Sequence, residues 1–137
     1  MASVSPRPRR SGCPLSTCLD IFGDRWSLLV VRDLMFSGLR TFRAFSAAGE
    51  GIATNILSDR LKRLEEEGII RRARSLDDGR EVVYALTDKG LDLAPVLVEM
   101  VLWAARHERT DAPPAVVREM RTRRQRFIAR VRERAQR

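Results

Sequence analysis

The chain has 137 residues, of which 44% are hydrophobic, and carries a formal net charge of +8. This length predicts one domain with a core of its own, and no apolar run reaches the roughly 18 residues that a membrane span needs. The N-terminal stretch MASVSPRPRR also lacks the apolar segment of a secretion signal. We therefore expect a cytoplasmic protein without a membrane partner.

The basic excess indicates a polyanionic partner, and it is concentrated at the two ends of the chain. Residues 1–12 hold three arginines and no acidic residue, and residues 112–137 hold nine arginines and two glutamates, whereas residues 13–111 hold 14 basic and 16 acidic residues. We predict a disordered basic arm over 1–12, a folded domain over 13–111 and an Arg-rich C-terminal helix over 112–137. Arginine-rich ends are commonly solvated surface, so a binding role and the absence of one both stay open.

Pro14 is predicted to open a short first helix that Gly23 ends, because Pro is favoured at the first helical position and Gly interrupts a helix. The apolar residues of this helix recur at i, i+3, i+4 and i+7. They make one stripe of Leu15, Cys18, Leu19 and Phe22. On that stripe Cys18 is expected to be a small buried hydrophobic residue. Cys13 precedes the helix behind the basic arm, where the helix dipole and the arginines favour a reactive thiolate.

Two more helices lead to the most informative part of the sequence. Asp24 can cap the second helix, WSLLVVRDLMF, and Thr41 can cap a short third helix. A turn with two glycines then precedes a fourth helix over 54–67.

The fourth helix is predicted to bury one face and present a polar one. Its leucines lie on a single side of the helical wheel: Leu57, Leu61 and Leu64. The opposite side carries small or polar side chains, Asn55, Ser58, Asp59 and Lys62, with Thr54 at the flank. A short helix, a glycine-bearing turn and a second helix with a polar outward face are typical of a helix-turn-helix. The alternative is an ordinary surface helix of a helical bundle.

A β-hairpin is predicted directly after this helix. Gly68 can end the helix in the left-handed conformation. Two stretches rich in β-branched residues, GIIRRARSL and EVVYALT, then flank the turn Asp77-Asp78-Gly79-Arg80, whose Asp-Gly pair favours a hairpin. A hairpin in this place is a wing. The sequence therefore predicts a mainly α fold with a small β-hairpin (α+β), a winged helix-turn-helix.

The segment TDKGLDLAPVLVEMVLWAARHE predicts a dimer. It begins at a Thr87 cap, has a kink at Pro95 and is apolar on almost every side over 94–105. A domain of this size cannot cover such a helix alone, so a second chain is the simplest cover. Alternatively the C-terminal helix, which has its own apolar stripe, folds back over it, and both covers can coexist. The predicted dimer interface consists of Leu15, Leu19, Leu97, Met100, Val101, Trp103 and Ala104.

The sequence gives little support for an enzyme active site or for a metal or cofactor site. One histidine, His107, and two scattered cysteines do not make a tetrahedral zinc site within one chain. We find no phosphate-binding loop and no nucleophile elbow, so we expect neither an enzyme nor a metal or cofactor. The run Glu65-Glu66-Glu67 is interpreted as a solvated helix end.

The joint spacing of several segments resembles the HxlR-type winged helix-turn-helix regulators, relatives of the MarR group, over about residues 13–107. The segments are CPL, GDRWSLLVVRDL, TFRAF, GIATNILSDRLKRLEEEGIIRR and DDGREVVYALTDKGLDLAPVL. The resemblance implies a homodimeric transcription factor that binds a pseudopalindromic operator in double-stranded DNA. It places the recognition helix at about 54–67, the wing at 75–81, and dimer contacts on the first and last family helices.

The resemblance also implies that Cys13 matches the cysteine with which some members sense electrophiles or oxidants. Packing at the dimer contact is an equally compatible role for this residue. The chain departs from the family at Ala53, where Ser or Thr is common, so Thr54 is expected to take over the helix cap. The segment 113–137 extends beyond the usual family domain.

We interpret the chain as a DNA-binding transcriptional regulator, a repressor, with an oxidant, an electrophile or another small molecule as its candidate effector. Contacts at or near the bases are expected from Asn55, Ser58, Lys62 and, on the wing, Arg80. Thr54, at the flank of the fourth helix, is also among the expected DNA-binding residues. Phosphate contacts are expected from Arg60, Arg63 and Arg72. The alternative function is a winged-helix protein–protein interaction module, which the near-neutral central segment favours slightly.

Overall fold

The computed structural model describes residues 7–77 and 79–137, and in these residues eight helices and one two-stranded antiparallel sheet follow one another. The elements are α1 Pro14–Phe22, α2 Ser27–Met35, α3 Phe42–Ser46, α4 Thr54–Glu66, β1 Ile70–Arg74, β2 Val82–Leu86, α5 Asp88–Leu91, α6 Ala94–His107, α7 Pro114–Thr122 and α8 Arg124–Gln136. The mainly helical fold with a small hairpin is the one that the sequence predicts. No helix among the described residues is both long enough and apolar enough to cross a membrane.

One hydrophobic core joins α2, α4, the hairpin, α6 and the C-terminal helices. The leucine face of α4 is buried in this core, as its periodicity predicts. The most completely buried large side chains are Val31, Met35, Leu57, Leu64, Ile69, Ile70, Leu91 and Val98.

The chain reverses sharply between α4 and β1. Gly68 has φ of 74°, and the amides of Gly68 and Ile69 donate to the carbonyls of Glu65 and Leu64 at 3.0 and 2.9 Å. This pair of bonds is a Schellman motif, which requires the left-handed conformation at the glycine. In the hairpin that follows, Ile70 pairs with Leu86 and Arg74 with Val82. The glycine therefore sets the angle at which the hairpin leaves α4.

Local capping explains how three of the helices begin. The Thr41 and Thr87 hydroxyls each accept a hydrogen bond at 3.1 Å from an amide in the first turn of α3 and α5. Asp24 accepts at 2.8 and 2.9 Å from the amides of Trp26 and Ser27, at the start of α2. The caps at Thr41 and Thr87 confirm the predictions from sequence, whereas Trp26 occupies the cap position of α2 and Asp24 accepts its bonds from just before the helix.

The kink predicted at Pro95 is replaced by a break in the helix. The helix that Thr87 caps ends at Leu91, and α6 starts anew at Ala94 with Pro95 in its first turn. A proline in a first turn loses no intrahelical hydrogen bond. The chain thus avoids the cost of a proline in the middle of a long helix.

The C-terminal segment forms two helices rather than the single one predicted, because α7 and α8 meet at Arg123, whose φ of −134° and ψ of 48° are not helical. The apolar stripe packs on α2, α6 and β2 of the same chain. Its buried members are Met120, Phe127, Ile128, Val131 and Ala135. Some arginines also donate to backbone carbonyls, such as Arg134 to Phe36 at 2.8 Å and Arg132 to Leu91 at 3.0 Å.

The N-terminal arm differs from the prediction in the part that the structure describes. Residues 1–6 lie outside the described residues. Arg7 and Arg9 form ion pairs with Glu66 and Glu67 at 2.9 and 2.8 Å, at the C-terminal end of α4. The interpretation of the glutamate run as a solvated helix end was therefore wrong for Glu67, which is buried.

Candidate nucleic-acid interface

The outward face of α4 carries the residues that the sequence predicts for base contacts. Asn55, Ser58 and Lys62 are exposed, on the side opposite the buried leucines. Asn and Lys side chains offer the donors and acceptors that match base edges in a major groove. Burial of the leucines holds this face in place, so the side chains are presented by a helix that cannot rotate freely.

Thr54 is exposed but does not cap α4, contrary to the prediction. Ala53 occupies the cap position with φ of −68° and ψ of 144°, and no side chain accepts a hydrogen bond from the first turn. Thr54 already has helical geometry, so its hydroxyl cannot reach the amides that a cap residue serves. The hydroxyl is therefore available at the edge of the outward face.

Arg60 points away from the position expected of a phosphate contact. Its Nε lies 3.0 Å from Asp24 Oδ1, it also pairs with Asp59, and its side chain is only 18% exposed. Partial burial opposes ionisation of Asp24, but hydrogen bonds from Ser27, Trp26 and Arg60 outweigh it and lower the pKa of Asp24 to about 2. Arg60 thus ties α4 to the start of α2, and we assign it a positioning role.

A groove of about 390 Å³ runs between α4 and the hairpin and brings three of the predicted residues together. Ser58, Lys62 and Arg72 line it, with Tyr84 on β2 and two glutamates of α4 at its acidic end. Arg72 Nε lies 3.6 Å from Glu65 Oε2 in a largely exposed pair. Such a pair contributes little to stability, so Arg72 can exchange the carboxylate for a phosphate.

The hairpin carries more arginine at its surface than the sequence analysis selected. Every β1 residue after Ile70 is exposed, so Arg71 and Arg74 face solvent as well as Arg72. The signal was available, since an antiparallel hairpin commonly leaves one face to solvent and three of the five β1 residues are arginines. Arg74 Nη1 donates at 3.1 Å to the carbonyl of Gly79 and so orders the wing loop.

The wing loop connects the strands over residues 75–81, where the amide of Ser75 donates at 2.7 Å to the carbonyl of Glu81. Arg80 is exposed in this loop, while Asp78 of the predicted turn lies outside the described residues. Arg63 of α4 is half-buried and lies in a second groove with Asp20 and Asp24, on the α1 side of the helix. Of the predicted phosphate contacts, Arg72 therefore lies closest to the outward face of α4.

Both cysteines are exposed, which corrects the prediction that Cys18 is buried. In the residues that the structure describes, nothing covers the part of the α1 stripe around Cys18, and Leu15 and Leu19 are 76% and 68% exposed. Cys13 lies at the N-terminus of α1, where its carbonyl accepts a hydrogen bond from Thr17 at 2.9 Å. Among the described residues, no group of His, Cys, Asp and Glu could hold a metal ion.

The residues predicted for a dimer interface divide into two groups. Met100 and Trp103 of α6 are 50% and 59% exposed, like the α1 leucines. Leu97 is only 6% exposed and packs into the core of its own chain. Val101 and Ala104 are half-buried between these two sides. The chain thus covers one side of α6 itself and leaves the other side apolar and exposed.

Comparisons with known proteins agree with one another. A model of the HxlR-like helix-turn-helix family matches residues 21–112. The HTH-type transcriptional regulator YvaP of Bacillus subtilis (strain 168), itself uncharacterised, is 39% identical over 93 residues, which are 67% of this chain and 85% of that protein.

Solved structures show the same fold. PA1607, a candidate transcription factor, is 37% identical with a TM-score of 0.68, over 77% of this chain and 72% of that chain. The quinone-bound YodB from B. subtilis is 32% identical with a TM-score of 0.56, over 69% of this chain and 98% of that chain. These matches confirm the winged helix-turn-helix fold predicted from the sequence.

Proposed function

Because the chain belongs to the HxlR-like helix-turn-helix family of transcriptional regulators, we propose that it represses transcription by binding a pseudopalindromic operator as a homodimer. The observation that carries this proposal is the outward face of α4. It is polar and exposed over a buried leucine face, and arginines of the hairpin lie beside it.

In the proposed complex α4 enters the major groove of double-stranded DNA. Asn55, Ser58 and Lys62 contact base edges there. Arg72 neutralises a phosphate at the edge of the groove, and Arg80 reaches the flanking backbone or minor groove from the wing. The hairpin thus adds electrostatic attraction and fixes the position of the protein along the DNA, while α4 discriminates between sequences.

The homodimer is proposed from the apolar surface that α1 and α6 leave exposed. Leu15, Leu19, Met100 and Trp103, together with the 48% exposed Val96, are too many large apolar side chains for a surface facing only water. A twofold dimer buries such a patch against its own copy. It also sets two recognition helices about 34 Å apart, one turn of DNA, which matches a pseudopalindrome. A dimer so placed covers a promoter and excludes polymerase from it.

Cys13 is proposed as the site at which an oxidant or electrophile acts. Its thiol is exposed at the start of α1, next to the proposed dimer surface. YodB, a relative of this chain, has been crystallised with a quinone bound. In the proposed reaction the Cys13 thiolate forms an S–C bond to a ring carbon of a quinone, and the electron pair of the attacked C=C bond moves to a carbonyl oxygen, which takes up a proton from water. Transfer of the hydrogen on the attacked carbon to the second oxygen, as a proton, then gives the hydroquinone thioether. A bulky adduct at this point would disturb the dimer contact.

Selection of bound duplexes from a random pool tests the proposal directly. We expect enrichment of two inverted half-sites whose centres are about 10 base pairs apart, bound with an affinity that falls as salt rises. Failure to enrich any sequence, together with weak and salt-insensitive binding, would contradict the DNA-binding role. That result would favour the protein–protein interaction module instead.

A further inference from the structure

We propose that residues 7–12 form a strap that holds the C-terminal end of α4 in its DNA-reading orientation, with Arg9 and Glu67 as positioning residues. This inference rests on the proposed function, because the orientation matters only if α4 reads DNA. It assigns a role to the N-terminal arm, whose charge alone suggests nonspecific attraction to a polyanion.

The contact between Arg9 and Glu67 is the centre of the strap. Arg9 Nη2 and Nη1 donate to the two carboxylate oxygens of Glu67 at 2.8 and 3.4 Å. The side chains of Arg9 and Glu67 are 26% and 5% exposed, whereas those of the neighbouring pair Arg7 and Glu66 are 45% and 34% exposed. A buried carboxylate depends on its partner far more than an exposed one does. Arg9 is therefore needed to balance the negative charge of the buried Glu67 carboxylate.

The strap is also fixed at its other end. The amide of Arg10 donates at 3.1 Å to Asp20 Oδ2 on α1, and the amide of Cys13 donates at 3.2 Å to the hydroxyl of Ser11. On the far side of Glu67, Lys89 Nζ donates at 2.7 Å to the Glu67 carbonyl. Glu67, the residue that follows α4 at its C-terminal cap, is thus held between α1, through the strap, and α5.

The geometry of α4 explains why its C-terminal end matters for reading bases. About 7.5 Å of helix separates Asn55 from Arg60 in the middle of α4, so a tilt of about 5° about the middle of the helix moves Asn55 by about 0.7 Å. Base contacts tolerate errors of only about 0.5 Å. At its middle, α4 is held by the leucine face and by the pair of Arg60 with Asp24. Removal of the strap would leave the helix free to pivot about those contacts.

The strap can be tested by neutralising Arg9 or Glu67, because simple electrostatic attraction to DNA predicts opposite effects for the two substitutions and the strap predicts the same effect. If Arg9 only contacted phosphate, Arg9→Gln would weaken binding to all duplexes and lower the slope of log K against log salt by about 0.9. If Glu67 were only an acidic group near DNA, Glu67→Gln would strengthen binding to all duplexes. The strap predicts that both substitutions weaken binding to the selected operator and leave the salt slope unchanged.

The experiment measures two quantities on the full-length protein. The first is amide hydrogen exchange at residues 67–69 without DNA, since these amides are hydrogen-bonded to the last turn of α4. The second is the ratio of affinities for the selected operator and a scrambled duplex, in which any loss of folded protein cancels. The variants are Arg9→Gln, Glu67→Gln and the charge-exchanged double variant Arg9→Glu with Glu67→Arg. Arg7→Gln is the matched control, because it removes the same charge from the exposed pair.

We expect faster exchange at residues 67–69 in both single variants and a loss of at least about fivefold in the affinity ratio, the discrimination that one aligned base contact supplies. The double variant should recover part of the protection from exchange and part of the affinity ratio. Arg7→Gln should change neither the exchange rate nor the ratio. Unchanged exchange in Arg9→Gln would overturn the strap, and so would faster exchange with an unchanged ratio. If the wild-type protein itself showed no preference between duplexes, the proposed function would fail, while the exchange measurement would still decide whether the strap holds α4.

Discussion

Replacing Phe127 with alanine tests whether the C-terminal helices belong to the folded core. The Phe127 side chain is 5% exposed, and its ring centroid lies 6.2 Å from that of Phe36, which follows α2. The guanidinium of Arg130 lies 5.4 Å over the same ring. Because α8 packs on α2, α6 and β2, the substitution would open a cavity in the middle of this contact.

The expected cost follows from the depth of burial. Truncation of a buried Phe to Ala costs about 3–5 kcal/mol, against a total free energy of unfolding of about 5–15 kcal/mol for an ordinary domain. For a domain of this size, such a loss lowers the midpoint of thermal unfolding by roughly 10–20 °C. Arg126→Ala is the control, since Arg126 is exposed on the same helix and its replacement should change stability by less than about 0.5 kcal/mol.

The assay is urea unfolding at one fixed protein concentration, because a dimer gains stability with concentration. Circular dichroism reports the helices, and the midpoint of Phe127→Ala should fall well below that of the wild type and of Arg126→Ala. Truncation after Asp111 should destabilise the protein more severely, since it removes every buried residue of α7 and α8. Equal midpoints for Phe127→Ala and the wild type would refute the packing of α8 on the core.

Three further predictions concern the wing, the thiol and the Asp24 carboxylate that precedes α2. Arg80→Ala should weaken binding to all duplexes by similar factors and lower the slope of log K against log salt by about 0.9, and an unchanged slope would show that the wing does not touch DNA. A quinone should lower operator affinity in the wild type but not in Cys13→Ser, and equal loss in both would place the effector site elsewhere. The pKa of Asp24 is lowered to about 2 from 3.8, so its ionised form stabilises the fold by up to about 2 kcal/mol above pH 4, and this is lost as the pH falls towards 2. Unfolding in urea between pH 5 and pH 2 should depend less on pH in Asp24→Asn than in the wild type, and identical profiles would contradict the assignment.

Features set by neighbouring residues were predicted well from the sequence. The leucine face of α4 follows from helical periodicity, and the caps at Thr41 and Thr87 follow from hydroxyl groups placed three residues before an amide that lacks a partner. Gly68 was predicted to take the left-handed conformation because a helix must end there before a strand. Each of these depends on residues within one or two turns.

Features set by distant residues were not visible in the sequence. Arg60 was predicted to contact phosphate, but its partner Asp24 is 36 positions away in the sequence. Glu67 belongs to a run of three glutamates, yet the helix rotates by about 100° per residue, so only the last of them is buried. Cys18 lies on an apolar stripe, as predicted, but is exposed because no residue in the described part of the chain covers it. Periodicity identifies a face and does not identify what lies against it.

The central claim, that the outward face of α4 reads DNA sequence, is tested most directly by the affinities of Asn55→Ala and Lys62→Ala. Each variant is titrated with the selected operator and with a scrambled duplex at the same salt concentration. The account predicts a loss of about 1–3 kcal/mol on the operator and a clearly smaller loss on the scrambled duplex. Equal losses on the two duplexes, or no loss on the operator, would contradict it.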